Sequence, residues 1–240
     1  MITNKYCIAI IVILILHSSC TMKIGKLLFN GKNNEIVSTQ EFKDYMKIHP
    51  QPSIVLRVPK SSNEVTKSDN NNDIYNAIEK ELIIGGFNVK DRSLFNEVMN
   101  KNTNLNYSDV SKSTETDLIL ELSYLNTEIK HVTNRILNKK GIEKTYKNYT
   151  ITRVGAAIEF KIIIVNLNKL AGSYLYNYTP CSKSNNEDCD CKISYKPHSL
   201  YPFINNCKQI NKKSAEYIEQ DKLVLFVRDG IKNLISDITK

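Results

Sequence analysis

Hydrophobic and polar positions recur along this chain with two periods, and the switches between them predict its elements. Ser53-Ile54-Val55-Leu56-Arg57-Val58-Pro59 is a β-branched run closed by proline, the pattern of a strand. Beyond a polar loop, Asp73 stands as an N-cap before Ile74, Ala77, Ile78 and Leu82, which recur at helical spacing. Gly85-Gly86 ends that helix, because glycine tolerates the left-handed conformation common at a helix terminus. Residues 87–90 alternate as a second strand, and Ser93 caps a short helix carrying Leu94, Phe95, Val98 and Met99. A third strand covers 117–125 and a fourth 156–166, where Ile158, Phe160, Ile162 and Ile164 alternate. A hairpin turn at 166–172 leads to a fifth strand at 172–178. Tyr217, Val224, Val227, Ile231, Leu234 and Ile238 form the stripe of a closing helix. The order β-α-β-α-β-β-β-α predicts an α+β fold, an α/β two-layer sandwich with a mixed sheet of about five strands and helices on one face.

The amino terminus has a different character. Lys5 is followed by an apolar run over 7–16 that has the length of a signal-peptide core, about ten residues. A spanning helix needs about 20. Ser18-Ser19-Cys20 comes next, and this order resembles the lipobox of bacterial lipoproteins. The resemblance implies cleavage before Cys20, diacylglycerol on its thiol and an acyl chain such as palmitate on the new amine. The position three before the cysteine is usually Leu or similar; here it is His17, with Leu16 one place further off. A plain secretory signal with a chance cysteine is the competing reading. The expected organisation is a signal peptide at 1–19, a lipid-anchored connector at 20–50 with a short helix near 40–46, and a single α/β domain at 51–240.

Charge and cysteines refine this picture. The 240 residues hold 33 Lys and Arg against 25 Asp and Glu, a formal charge of +8. Phospholipid head groups, lipopolysaccharide phosphates and wall polymers are acidic partners for an exported basic chain, although dispersed lysines also suit an ordinary solvated surface. No basic motif interleaved with aromatics points to nucleic acid. Apart from Cys7 and Cys20, four cysteines fall in one loop at 181–207: Cys181, Cys189, Cys191 and Cys207. An even number in an exported chain predicts two disulfides. A direct Cys189–Cys191 bond closes a very tight ring, so each is expected to pair outward, with Cys181 or Cys207. Zinc, with His198 as a spare ligand, is the alternative, but structural zinc sites use pairs two to four residues apart, unlike this C-x-C with long flanks.

Catalytic signatures are missing from the sequence. The mature histidines His49, His131 and His198 lie far apart, and no G-x-S-x-G, H-E-x-x-H or phosphate-cradling glycine loop occurs. Glu79 and Glu81 fall on different helix faces, and Asp91-Arg92 reads as a cap or ion pair fixing a strand-to-helix turn. A non-enzyme without cofactor or metal is expected.

The stretch from Ile74 to Val98, with its glycine-ended helix, its strand closed by Asp91-Arg92 and its second helix opened by an apolar residue, is similar to a pattern in envelope lipoproteins. Ile158-Glu159-Phe160-Lys161-Ile162-Ile163-Ile164-Val165-Asn166-Leu167-Asn168-Lys169-Leu170-Ala171-Gly172 resembles their hairpin, whose turn carries a glycine. The group includes the curli secretion lipoprotein, the lipoprotein activators of penicillin-binding proteins and the amino-terminal domain of the Tol-system propeller protein. The resemblance implies a non-catalytic adaptor or assembly factor that holds an unidentified envelope protein, while the loop at 181–207 and the short connector depart from it. The alternative is a subunit of an oligomeric outer-membrane secretion pore, although residues 145–157 alternate only weakly for a membrane strand. A surface lipoprotein that binds a nutrient or host molecule is a third class. Thr21-Met22 lacks the Asp associated with inner-membrane retention in enteric bacteria, so the outer membrane is the expected location, on its periplasmic or surface face.

Overall fold

A computed structural model describes residues 23–58, 71–101, 114–147, 150–181, 191–195, 204–205 and 218–239. The chain divides into two compact units, each assembled from three separate stretches. The larger takes residues 30–131, 152–180 and 211–240, and the smaller takes 1–29, 132–151 and 181–210.

The described elements run β1 Lys23–Leu27, β2 Glu35–Ser38, α1 Gln40–Ile48, β3 Ser53–Arg57, α2 Asn72–Ile84, β4 Asn88–Val89, α3 Arg92–Lys101, β5 Leu118–Thr133, β6 Arg135–Asn138, β7 Glu143–Thr145, β8 Ile151–Ile164, β9 Lys169–Tyr178, β10 Lys192–Tyr195, β11 Ile204–Asn205 and α4 Gln220–Ile238. The fold class is α+β, as the element order implies. The main sheet has six strands in the order β2-β9-β8-β5-β3-β4. Strand β3 pairs parallel with both β4 and β5, while β9 pairs antiparallel with β8 and β2.

One face of this sheet carries the main core. Ile54 and Leu56, Leu118, Leu120 and Leu122, Ile158, Phe160, Ile162 and Ile164 pack there beneath Ile74, Ile78 and Leu82 of α2 and Val227, Ile231 and Leu234 of α4. The alternating partners point the other way: Val55, Ile119, Ile163 and Val165 meet Phe95 of α3. Helix α3 therefore adds a cover to the second face, where the sequence led us to expect helices on one face alone. Handedness supplies the reason. The chain goes from β3 out to β4 through α2, then back past β3 to β5 through α3. Two right-handed crossovers in opposite directions put their helices on opposite faces. The contiguous apolar runs Ile54-Val55-Leu56 and Leu118-Ile119-Leu120 lie where both faces are covered.

Local chemistry fixes the joints. Ser53 N–H donates to Asp117 Oδ2 at 2.7 Å, and Asp117 N–H donates to Ser53 Oγ at 2.9 Å, which pins the register of β3 against β5. Gly86 has φ +88, so the left-handed residue expected after α2 is there. In the β8–β9 turn, however, the left-handed residue is Asn168 (φ 51), and the expected turn glycine, Gly172, lies within β9. Its hydrogen is required for packing: a Cβ there would come 2.8 Å from the Val37 carbonyl oxygen of β2.

The stretch expected as a connector is structured from Lys23 onward. It supplies β1, β2 and α1, with Phe42 and Met46 in the main core. These elements are short and mostly polar, so their periodicity is weak. The domain expected at 51–240 likewise gives way to two units that interleave in sequence. The smaller unit is an antiparallel sheet in the order β11-β10-β1-β6-β7. Its core joins Leu27, Phe29 and Ile136 to Cys181 and Cys191.

Candidate functional site

The cysteine loop is the first place where sequence and structure meet. Cys181 and Cys191 form a disulfide with Cα atoms 5.3 Å apart, and both are buried in the smaller unit's core. This is one of the outward pairings expected for Cys191. It also removes two of the thiols that a zinc site would need. Cys189, Cys207 and His198 lie outside the described residues, as does Cys20. With Cys191 joined to Cys181, the second expected bond is Cys189–Cys207. Non-reducing peptide mapping should recover those two cysteines in one linked fragment, and free thiols at both positions would refute the pairing.

Around the Asp91-Arg92 turn the charged groups form a helix cap, an ion pair and a ring contact. Asp91 Oδ1 accepts from the N–H groups of Ser93 (2.7 Å) and Leu94 (2.9 Å), so the cap of α3 is Asp91 in place of the expected Ser93. The Arg92 guanidinium lies over the Tyr75 ring at 4.6 Å, with its Nε 3.5 Å from Glu79 Oε1. Burial raises the Glu79 pKa, against the pull of Arg92. Glu81, two residues on and buried, faces Arg228 of α4 at 3.1 Å. The two carboxylates thus have separate partners on separate helix faces, which is the expected arrangement.

Sequence reading missed a polar network on the open region of the sheet's second face. Arg57 Nη1 donates to Glu121 Oε2 at 3.0 Å. Ser123 and Ser173 each donate to Glu159 at 2.7 Å, with Lys161 Nζ 3.9 Å away. Burial pushes the Glu159 carboxyl up, but the two hydroxyls and Lys161 outweigh it and hold the group below its usual range. The signal was available in the alternation itself, since Glu121, Glu159 and Lys161 each stand between buried neighbours. The Arg57–Glu121 pair ties β3 to β5, and Glu159 on β8, with one hydroxyl donor on each oxygen, ties β5 to β9.

The described histidines are apart and differently engaged. His49 stacks on Tyr45 with centroids 4.2 Å apart, at the end of its own helix. His131 is buried, and burial together with Lys32 lowers its pKa. Among the described residues no group of three His, Cys, Asp or Glu could hold a metal ion, and no helix is long and apolar enough to cross a membrane.

No protein-family model matches the chain, and comparison with curated protein sequences finds no match. Among solved structures, the chain is similar to a PelC dodecamer from Paraburkholderia phytofirmans at TM-score 0.32 and 10% identity, covering 63% of this chain and 84% of that one. A single-substitution variant of the same dodecamer gives the same TM-score and identity over 68% and 85%. A likeness this distant carries no argument about activity.

Proposed function

We propose that the protein is a bacterial envelope lipoprotein, held on the outer membrane by lipid at Cys20 and acting there as a non-catalytic adaptor or assembly factor. The observation that carries this reading is the short apolar run closing on Ser18-Ser19-Cys20. The Cys181–Cys191 bond supports export, because such bonds persist in oxidising compartments. The non-catalytic part of the reading draws on the engagement of Asp91 in a cap, of buried Glu81 in an ion pair and of Glu159 with two serine hydroxyls. An adaptor needs a place for its partner. Strand β2 is an edge of the main sheet, and its Ile36 and Val37 are 46% and 65% exposed, which suits addition of a partner strand.

The deciding experiment is mass spectrometry of the amino-terminal peptide of the protein purified from membranes. The expected result is a chain beginning at Cys20 and carrying diacylglycerol and an amide-linked acyl chain. An unmodified amino terminus overturns the reading.

A further inference from the structure

The excess positive charge is not spread over the molecule. Of the chain's 33 Lys and Arg and 25 Asp and Glu, the smaller unit holds 12 and 4, and the larger holds 21 and 21. The larger unit is neutral and the smaller carries the whole +8, or +7 once Lys5 leaves with a signal peptide. A uniform lysine bias would leave the larger unit with most of the excess, since the smaller has 79 of the 240 residues. Among the described residues the contrast holds: the smaller unit, built from three separate stretches, has 8 Lys and Arg against Glu143, and the larger has 15 against 17 Asp and Glu.

The β6–β7 hairpin shows how this charge is presented. Asn138 Oδ1 accepts from the N–H groups of Lys140 and Ile142, both at 2.9 Å, and Gly141 takes φ +73, which builds a tight turn. Lys139, Lys140, Lys144 and Lys147 are exposed, and Ile142 among them is 54% exposed. Glu143, the smaller unit's single acidic residue among those described, is held by Arg135 through paired contacts. Strand β1 lies beside β6 in antiparallel register, with Gly25 opposite Asn138 and Leu27 opposite Ile136. The start of β1 and the lysine-bearing turn therefore occupy the same end of this sheet. Cys20 is three residues before Lys23, a reach of at most about 11 Å.

We infer that the smaller unit is a membrane-surface module whose β6–β7 hairpin lays Lys139 and Lys140 of its turn, with Lys144 just behind them, against anionic phospholipid head groups. The inference rests on the lipid-anchor reading for its geometry, since a lipid at Cys20 brings this end of the sheet to the bilayer. At that range the charges lie within about a Debye length of the surface, 8–10 Å. Each lysine near an anionic surface multiplies affinity by about fivefold. Exposed Ile142 enters the head-group boundary between them.

The test uses the full mature chain with serine at position 20, so that no lipid contributes, in co-sedimentation with vesicles. Vesicles of two-thirds phosphatidylcholine and one-third phosphatidylglycerol should bind the protein at low salt and release it at high salt, while pure phosphatidylcholine does not bind it. Replacing Lys139, Lys140 and Lys144 together by Gln should lower affinity by about 10- to 125-fold. Replacing exposed Lys43, Lys47 and Lys80 of the larger unit by Gln removes the same charge and should change affinity by less than about threefold. Equal losses in the two variants, or unchanged binding in the first, overturn the proposal, as does binding to phosphatidylcholine alone. Displacement by inorganic phosphate well beyond chloride of the same ionic strength overturns it in favour of a phosphate pocket. Since the chain used is unlipidated, failure here leaves the amino-terminal mass unaffected, and failure of the anchor leaves this binding measurable.

Discussion

A chain exported by an ordinary cleavable signal and bearing serine in place of Cys20 leaves the membrane fraction, while the Cys20 protein stays there through a high-salt wash. Each buried methylene of a lipid chain contributes about 0.8 kcal/mol, so one chain gives marginal binding and two or more give stable anchoring. Removing the thiol removes the diacylglycerol and, with it, the processing that exposes an amine for a further chain. What remains is the electrostatic attraction of the smaller unit, which salt screens. The expected pattern is partial pelleting of the variant at low salt and full release at high salt, a change of more than about a hundredfold in the bound-to-free ratio. Thermal unfolding of the variant should match that of the Cys20 protein, because the exchange of one sulfur for an oxygen lies ahead of β1, the first described element. Pelleting of the serine variant after the salt wash would sink the anchor.

The regions of the fold that could be read in advance are those where hydrophobic burial is dense and periodic. Ile158, Phe160, Ile162 and Ile164 alternate because one sheet face is core, and Ile74, Ile78 and Leu82 recur because one helix face is. Elements whose stability comes from neighbours left little trace. Strand β1 has two lysines in five residues, and β5 continues past Leu125 through Asn126, Thr127, Glu128 and Lys130 to Thr133. Those residues are held in the strand by pairing more than by their own propensity. Topology was a second limit: α3 reads like any amphipathic helix, and only the reversal of direction between β4 and β5 sends it to the other face. Glycine was a third. Gly172 looked like a turn residue, but what its position demands is the absence of a Cβ against β2.

The candidate site divides in the same way. The outward pairing of Cys191 could be expected from ring size, and Cys181 proved to be its partner. The Asp91-Arg92 pair kept its structural reading, with the capping role moved to Asp91. The charge segregation could not be read along the chain, since it exists only once residues 1–29, 132–151 and 181–210 are brought into one unit.

Gly155→Val should be the most damaging single substitution in the larger unit. A Cβ at this position of β8 would collide with the Tyr178 carbonyl oxygen and stand 2.7 Å from His131 Nε2 and 2.9 Å from His131 Cδ2. Neither obstacle can yield easily. The carbonyl belongs to β9, where Tyr178 pairs with Ala156, and the His131 ring is itself buried at 8% exposure. Overpacking typically costs about 1–3 kcal/mol, and here a branched side chain must also push β8 and β9 apart, so a loss of about 3 kcal/mol or more is expected. That is a large share of the roughly 5–15 kcal/mol that holds a domain folded. The measurement is the urea midpoint, with Gly31→Ala as reference: nothing lies within 4 Å of a Cβ at Gly31, so its effect should stay within about 0.5 kcal/mol. Adding His131→Ala to Gly155→Ala removes one of the two obstacles and leaves the carbonyl. The double variant should then be more stable than the sum of the single losses predicts, a coupling expected of residues in contact. Strict additivity, or a Gly155→Val midpoint equal to that of Gly31→Ala, would show that β8 and β9 are not packed as closely here as the structure has them.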